Sequence, residues 1–271
     1  SNAPYFAQKI SRTEFGDMKP TMVHDGLWDV YNDEHMGNTG ETIAEEFGIT
    51  RTEADGFAAF SHSKSTVAWN QKWMDFEVIE TPGIERDEGI NPELHQAYNL
   101  KDDLSILNQM APVFAEDGQI TAGNSSQLSD GAAAVLVASS EAAQANGWPV
   151  LATVIDYCTS GVKPARVMAA PIPAIEALLE RNKMTMEDLS FVEHNEAFAT
   201  ASIAVAMGCN IPGEKLNPHG GAVAIGHPLG ATGARCLMTL INALQRTGGG
   251  KGIVTLCLGG GNAVAMLIES E

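Results

Sequence analysis

Residues 253–268 read IVTLCLGGGNAVAMLI, and this stretch decides which class of fold the sequence predicts. Two apolar runs, 253–257 and 262–268, are separated by one leucine and three glycines, which is typical of a β-hairpin. Further strands are predicted upstream, and helices alternate with them. The strands are at 150–157 and 189–193, and the helices are at 173–182, 196–207 and 231–246. Strands that alternate with helices predict a layered α/β domain.

The first part of the chain has a weaker pattern. Residues 1 to about 120 are predicted to be mostly helical and irregular. Thr50 and Glu53 form a capping-box pattern ahead of a helix that runs to about Trp73. Residues 75–105 are polar and contain glycine and proline, as expected for a surface excursion.

A short apolar run at 132–138, AAAVLVA, lies between Asp130-Gly131 and two serines. Its length and its flanking turn residues predict a buried strand. A helix is predicted to follow over residues 140–146.

Composition restricts the classes of function. Apolar residues make up 44% of the chain, enough for a sizeable core, and 34 acidic against 16 basic residues give a net charge of -18. This charge argues against nucleic acid or an anionic membrane as a partner. No apolar stretch reaches the ~18 residues of a membrane helix, and no signal peptide is recognisable. The four cysteines lack metal-ligand spacing, so we expect reduced thiols, no metal and a cytoplasmic protein.

Three motifs place polar side chains next to apolar runs: HNEAF at 194–198, GHP at 226–228 and CLGGG at 257–261. A histidine, a cysteine and an asparagine amide at one point can move a proton and bind an oxyanion. The glycines after Cys257 allow backbone N–H groups to approach a ligand closely. The dipoles of these N–H groups would also favour the thiolate form of Cys257.

Each motif also has a structural interpretation. Cys257 in an apolar strand is compatible with an inert core position. Asn195 is compatible with a helix N-cap ahead of Glu196, whose carboxylate would favour the helix N-terminus. The glycine-rich segment 220–235 contains no GK[ST] sequence, which disfavours a phosphate loop. His194 and His219 are predicted to be solvated or structural, and the other three cysteines to be packing residues.

The motifs, in this order, resemble those of the thiolases, the family of acetyl-CoA acetyltransferases and 3-ketoacyl-CoA thiolases. HMGNTGE at 35–41 and TAGNSS at 121–126 extend the resemblance to nearly the whole chain. It implies a layered α/β/α core with an inserted, mainly helical loop domain. Residues 1–128 would be the loop domain, 129–147 the tail of the N-terminal core domain and 148–271 the C-terminal core domain.

The resemblance also implies roles for individual residues. His227 would activate the nucleophilic cysteine and help to bind the thioester oxygen, and Asn195 would hold a water that completes this oxyanion hole. Cys257 would move the proton at the substrate's α-carbon. The Gly259 N–H would donate in a second oxyanion hole. The positions implied on the coenzyme A and acyl side are Ser126, His35, Met36 and Phe198.

The activity implied is that of an acetyl-CoA C-acetyltransferase, which uses coenzyme A thioesters as substrates and has no covalently bound cofactor. The alternatives are a longer-chain 3-ketoacyl-CoA thiolase and a truncated, non-catalytic subunit. The family's nucleophilic cysteine has no counterpart here, so we expect the chain to be inactive alone. A homodimer, a homotetramer or an assembly with a separate N-terminal half is expected. Asn99 replaces an arginine that many members use for the nucleotide, and Val167-Met168 lies one residue off the usual V-M-G pattern.

Overall fold

The computed structural model describes residues 4–87, 89–90 and 100–271. Within these described residues, the N-terminal part contains four short strands and four α-helices, and the C-terminal part contains four strands and four α-helices. In chain order these are β1 Tyr5–Lys9, β2 Phe15–Pro20, β3 Trp28–Asp29, β4 Glu34–His35, α1 Met36–Phe47, α2 Arg51–Asn70, α3 Leu100–Leu107, α4 Ser140–Asn146, β5 Thr153–Gly161, α5 Pro171–Arg181, β6 Phe191–His194, α6 Ala199–Cys209, α7 Ala222–Ile225, α8 Leu229–Arg246, β7 Gly250–Leu258 and β8 Asn262–Ser270.

The C-terminal part is built on a four-stranded mixed sheet with the strand order β5-β8-β7-β6. Strands β7 and β8 form the predicted antiparallel hairpin, in which Leu258 pairs with Asn262. Strand β6 runs parallel to β7, and His194 pairs with Thr255. The carboxyl ends of β6 and β7 therefore meet at one edge of the sheet.

Helices cover both faces of this sheet, because successive side chains of a strand point in opposite directions. Ile253 packs with residues of α5 and α6 on one face, whereas Val254 packs with residues of α8 on the other. Three layers result, with a helical layer on each side of the sheet. The predicted layered α/β/α core is confirmed.

The N-terminal part is mainly helical, as predicted, and the capping box of α2 is present: Thr50 Oγ1 accepts from the Glu53 N–H, and the Glu53 carboxylate accepts from the Thr50 N–H at 2.8 Å. Two small antiparallel pairs, β1-β2 and β3-β4, were not predicted. Helix α1 packs against α6, and α2 packs against α6 and α7, which joins this part to the C-terminal layers. Most of the predicted excursion at 75–105 is described, but residues 88 and 91–99, including Asn99, lie outside the described residues.

The predicted strand at 132–138 is wrong. These residues form no strand, and Leu136 and Val137 keep 78% and 76% of their surface exposed. A strand is stable only when neighbouring strands pair with its backbone, and no strand of the described residues lies beside this segment. The helix predicted after it is present as α4. Among the described residues, no helix combines the length and apolar character needed to cross a bilayer.

Candidate active site

The candidate site lies where β6 and β7 end together. The Asn195 N–H donates to Thr255 O at 3.2 Å, which extends the parallel pairing one residue beyond β6. Cys257 follows two residues later on β7. Asn195 is only 1% exposed. The polar motif at 194–198 and the cysteine motif therefore occupy the same edge of the sheet.

Asn195 is not a helix N-cap, contrary to the structural interpretation of its motif. Helix α6 begins at Ala199, and its N-cap residue is Phe198. Asn195 instead turns its side chain toward the GHP motif, and its Nδ2 lies 3.2 Å from His227 Nε2. Asn195 therefore contacts a residue 32 positions further along the sequence and does not cap the helix that follows it.

His227 is held on three sides at the entrance to α8. Its backbone N–H donates to Gln127 O at 3.2 Å. In its ring, Nε2 faces Asn195 and Nδ1 lies 2.6 Å from Thr232 Oγ1. Burial, with a smaller contribution from the positive charge of Arg235, lowers the pKa of His227 to about 4. The imidazole is therefore neutral at pH 7, the state in which histidine acts as a base.

Cys257 lies in an apolar environment rather than one that favours its thiolate. Its Sγ is 3.9 Å from Met168 Sδ. Burial raises the pKa of Cys257 to about 11 and outweighs the stabilising hydrogen bond from the backbone. The thiol therefore keeps its proton near neutral pH, contrary to the expectation drawn from the glycine amides.

An apolar cluster surrounds this thiol. We call it the thiol cluster, and it contains Met36, Phe114, Met168, Phe198 and Cys257. The Phe114 ring meets the Phe198 ring edge to face, with centroids 6.1 Å apart. The His35 ring stacks on the Phe114 ring, with the two centroids 4.8 Å apart. The structure thus brings Met36, Phe198 and Cys257 together, with His35 beside them.

A glycine of the HMGNTGE motif, Gly37, makes this packing possible. His35 is the N-cap of α1, where its Nδ1 accepts from the Gly37 N–H at 3.0 Å. A Cβ atom on Gly37 would collide with the Phe114 ring. Glycine at this position therefore allows Phe114 to approach α1 closely. Sequence patterns did not indicate Phe114, because it lies 77 residues from Gly37 along the chain.

Ser126 and Gly259 lie at the borders of the site. The Ser126 N–H donates to Ala197 O at 3.0 Å, so this serine lies beside the HNEAF motif. Gly259 lies in the turn of the β7-β8 hairpin, where Asn262 Nδ2 donates to Gly259 O at 3.2 Å. Apart from its two chain neighbours, no described residue has a heavy atom within 4 Å of the point where a Gly259 side chain would begin. A ligand can therefore approach its backbone.

Glu196 forms a buried network rather than merely favouring a helix N-terminus. Its carboxylate accepts from Ser61 Oγ at 2.6 Å, from Asn217 Nδ2 at 2.8 Å and from the Val223 N–H at 3.1 Å. Asn217 also bonds both backbone groups of His194. This network fixes the segment that carries Asn195. Its partners lie 21 to 135 residues away in sequence, so no local pattern indicated them.

The other singled-out histidines and cysteines have packing roles. His194 and His219 are fully buried, and burial lowers their pKa to about 3 and about 4, with Arg246 also lowering that of His219. They are structural and not solvated. The remaining cysteines, Cys158, Cys209 and Cys236, pack in or against apolar clusters as predicted. Within the described residues, no group of three histidine, cysteine or acidic side chains could hold a metal ion.

Comparison with known proteins agrees with this fold. Residues 1–141 match the family model of the thiolase N-terminal domain, and residues 148–270 match that of the thiolase C-terminal domain. The chain belongs to the thiolase family. It is 39% identical to an acetyl-CoA acetyltransferase of Pseudomonas aeruginosa, over 100% of this chain and 70% of that protein. It is 40% identical to an acetyl-CoA acetyltransferase of Paracoccus denitrificans, over 99% of this chain and 69% of that protein.

Solved structures of thiolases are also similar to this chain. The human mitochondrial 3-ketoacyl-CoA thiolase in complex with CoA has a TM-score of 0.88 and 32% identity, over 99% of this chain and 68% of that one. The Bacillus anthracis acetyl-CoA acetyltransferase has a TM-score of 0.88 and 34% identity, over the same shares. Further curated relatives are matched over 64% to 68% of their length. The chain thus spans about two thirds of the proteins it resembles.

Proposed function

We propose that this chain supplies the proton-transferring residues of an acetyl-CoA C-acetyltransferase. The reaction is the reversible Claisen condensation of two acetyl-CoA molecules to acetoacetyl-CoA and free coenzyme A. The observation that carries the proposal is the contact of the Asn195 amide with the His227 imidazole at the sheet edge where β7 places Cys257, two residues after the Thr255 carbonyl that pairs with Asn195. The names of the relatives from Pseudomonas and Paracoccus support the choice of acetyl-CoA.

His227 and Asn195 act on the thioester that is bound covalently. A neutral imidazole accepts the proton of an attacking thiol, and its ionised form then lies beside the developing oxyanion. Asn195 Oδ1 is buried and has no hydrogen-bond partner among the described protein atoms. This oxygen can accept from a water, which in turn donates to the oxyanion.

Cys257 acts on the second thioester. In condensation the thiolate form of Cys257, which is the minor form at neutral pH, takes a proton from the α-carbon of acetyl-CoA. The resulting carbanion attacks the acyl group held on the nucleophile, whose sulfur leaves as a thiolate. In thiolysis the Cys257 thiol returns the proton to the leaving carbanion. Its raised pKa fits this second task, because the thiol holds its proton at neutral pH. The Gly259 N–H is the proposed donor to the enolate oxygen.

The nucleophile comes from outside these 271 residues. The family's acyl-accepting cysteine has no match here, and Cys158, Cys209 and Cys236 are packing residues. We therefore propose that Ser126, His35, Met36 and Phe198 contact the pantetheine and acyl groups, and that a separate segment presents the reactive thiol to His227.

A longer-chain 3-ketoacyl-CoA thiolase is the second candidate. The structural similarity to the human mitochondrial 3-ketoacyl-CoA thiolase favours it. The two candidates differ in how much room the thiol cluster leaves for an acyl chain. Met36 and Met168 belong to this cluster, and we propose that their side chains restrict the site to a short acyl group.

The test is acetoacetyl-CoA cleavage by this chain alone and after mixing with a thiolase N-terminal half. We expect no cleavage by protein whose intact mass equals that of this chain, and restored cleavage in the mixture. A 3-ketoacyl-CoA series then decides chain length. Cleavage by the isolated chain would contradict the proposed source of the nucleophile. A mixture that forms a complex but cleaves no member of the series would support the non-catalytic alternative.

A further inference from the structure

The hydroxyl of Thr232 makes two short contacts, and each requires a proton. Thr232 Oγ1 lies 2.6 Å from His227 Nδ1 and 2.9 Å from Pro228 O. At such distances two electronegative atoms attract each other only when a hydrogen lies between them. The hydroxyl supplies a single hydrogen for the two contacts.

The second hydrogen has only one source. Pro228 O is a carbonyl oxygen and can only accept, so the Thr232 hydroxyl donates to it. The contact with His227 must then take its hydrogen from the imidazole, as Nδ1–H donating to Thr232 Oγ1. A neutral imidazole has one N–H group, so Nε2 of His227 carries the free lone pair.

The contact on the other side of the ring agrees with this count. Asn195 presents its Nδ2 group, which can only donate, to Nε2 at 3.2 Å. An Nε2 that carries a lone pair accepts from it. The three contacts form one chain of donors from the Asn195 amide through the imidazole and the hydroxyl to Pro228 O.

The start of α8 holds the hydroxyl in place. Thr232 is fully buried, and Pro228 O also accepts from the N–H groups of Ala231 and Thr232 at 2.8 and 3.0 Å. Proline has no N–H of its own and a fixed φ angle. The Pro228 carbonyl, which accepts the hydrogen bond from the Thr232 hydroxyl, therefore cannot turn away without breaking the first turn of the helix.

We propose that Thr232 is a positioning residue that fixes the Nδ1–H tautomer of His227 and so leaves Nε2 unprotonated for the reacting thiol. The tautomer assignment rests on the contacts alone. Its effect on the rate rests also on the proposed function, in which Nε2 takes the proton of the nucleophile.

Nitrogen-15 NMR of the histidine rings in this chain tests the assignment without any activity. A His227→Gln variant identifies the two resonances of His227 by their loss. We expect a protonated Nδ1 and an unprotonated Nε2 in the unaltered chain and in Thr232→Ser. In Thr232→Val the bond to Nδ1 is lost. One neutral hydrogen bond of about 1 kcal/mol corresponds to an approximately fivefold change in the tautomer ratio toward Nε2–H.

Thr247→Val is the matched control. Thr247 lies at the other end of α8, and its hydroxyl donates to Ala243 O at 2.9 Å without contacting a histidine. This variant should keep the His227 resonances unchanged. Thr232→Ala serves as a second test if the valine does not fit. An Nε2–H form in the unaltered chain, or an unchanged ratio in a folded Thr232→Val or Thr232→Ala chain, would overturn the proposal.

Rates in the complete enzyme separate this inference from the proposed function. Thr232→Val should lower kcat for acetoacetyl-CoA cleavage by up to about fivefold and leave KM unchanged, and Thr232→Ser should restore kcat. A shifted tautomer with an unchanged kcat would leave the assignment intact and remove His227 as the base. An unshifted tautomer would refute the positioning role whatever the rate.

Discussion

At the scale of single residues, burial decides which protonation states the site can use. His227 is kept neutral and the Cys257 thiol is kept protonated, because each charged form would be poorly solvated. A neutral base and a protonated acid therefore stand at one sheet edge at pH 7. In the proposed reaction this pair is set for thiolysis, in which the base takes the proton of the attacking thiol and the acid protonates the leaving carbanion.

Cys257→Ser should slow condensation in the complete enzyme far more than it slows acyl transfer to the nucleophile. A serine hydroxyl is a much poorer acid and base near neutral pH, and general acid–base catalysis contributes ~10²–10⁴-fold. Single-turnover acylation and steady-state condensation measure the two steps separately. Cys209→Ser, which alters a thiol at the end of α6, is the control and should leave both rates unchanged. Unchanged condensation in Cys257→Ser would return this cysteine to a packing role.

At the scale of elements, the site depends on how the connection between β6 and α6 is fixed. Residues 195–198 belong to neither element. Glu196 ties this connection to α2 through Ser61, and Asn217 ties it to the segment before α7. The position of Asn195 is therefore set by contacts with other elements rather than by its own backbone preference.

Asn217→Asp should destabilise the chain by about 1–3 kcal/mol, because it removes two donated hydrogen bonds in a buried site. It also places a second carboxylate beside Glu196. Urea unfolding followed by circular dichroism measures the loss. Asn146→Asp at the exposed end of α4 offers a comparison and should change stability by less than ~0.5 kcal/mol. Equal midpoints for the two variants would mean that the Glu196 network contributes little.

At the scale of the whole molecule, apolar side chains remain exposed along one part of the chain. Leu128, Leu136, Val137, Val150 and Tyr157 each keep between 64% and 78% of their surface accessible. Monomeric proteins rarely expose contiguous apolar patches larger than a few hundred Å². We therefore predict that another polypeptide covers this part of the chain.

The chain should accordingly form a dimer or a larger species, or co-purify with a thiolase N-terminal half. Sedimentation velocity at micromolar concentration measures the size of the species. The net charge of -18 opposes non-specific aggregation, so we expect a defined assembly. Leu136→Glu and Val137→Glu should weaken it, whereas Glu141→Gln on the exposed side of α4 should not. A sharp monomer at all concentrations would contradict the prediction.

The sequence by itself determined the features that depend on neighbouring residues. The β7-β8 hairpin, the alternation of strands and helices after residue 150 and the capping box of Thr50 all follow from local patterns. The motifs at 194–198, 226–228 and 257–261 also indicated the residues that are proposed to carry the chemistry. These features depend on hydrophobic periodicity and turn residues, which act over a few positions.

Only the tertiary structure decided how these residues act together. It brought Asn195 to His227, placed Met168 beside Cys257, and placed the Thr232 hydroxyl beside His227 Nδ1. It also left residues 132–138 without the strand that their apolar pattern predicts, because no strand of the described residues lies beside them. Burial, protonation state and strand pairing depend on neighbours that are distant in sequence, and local patterns carry no information about them.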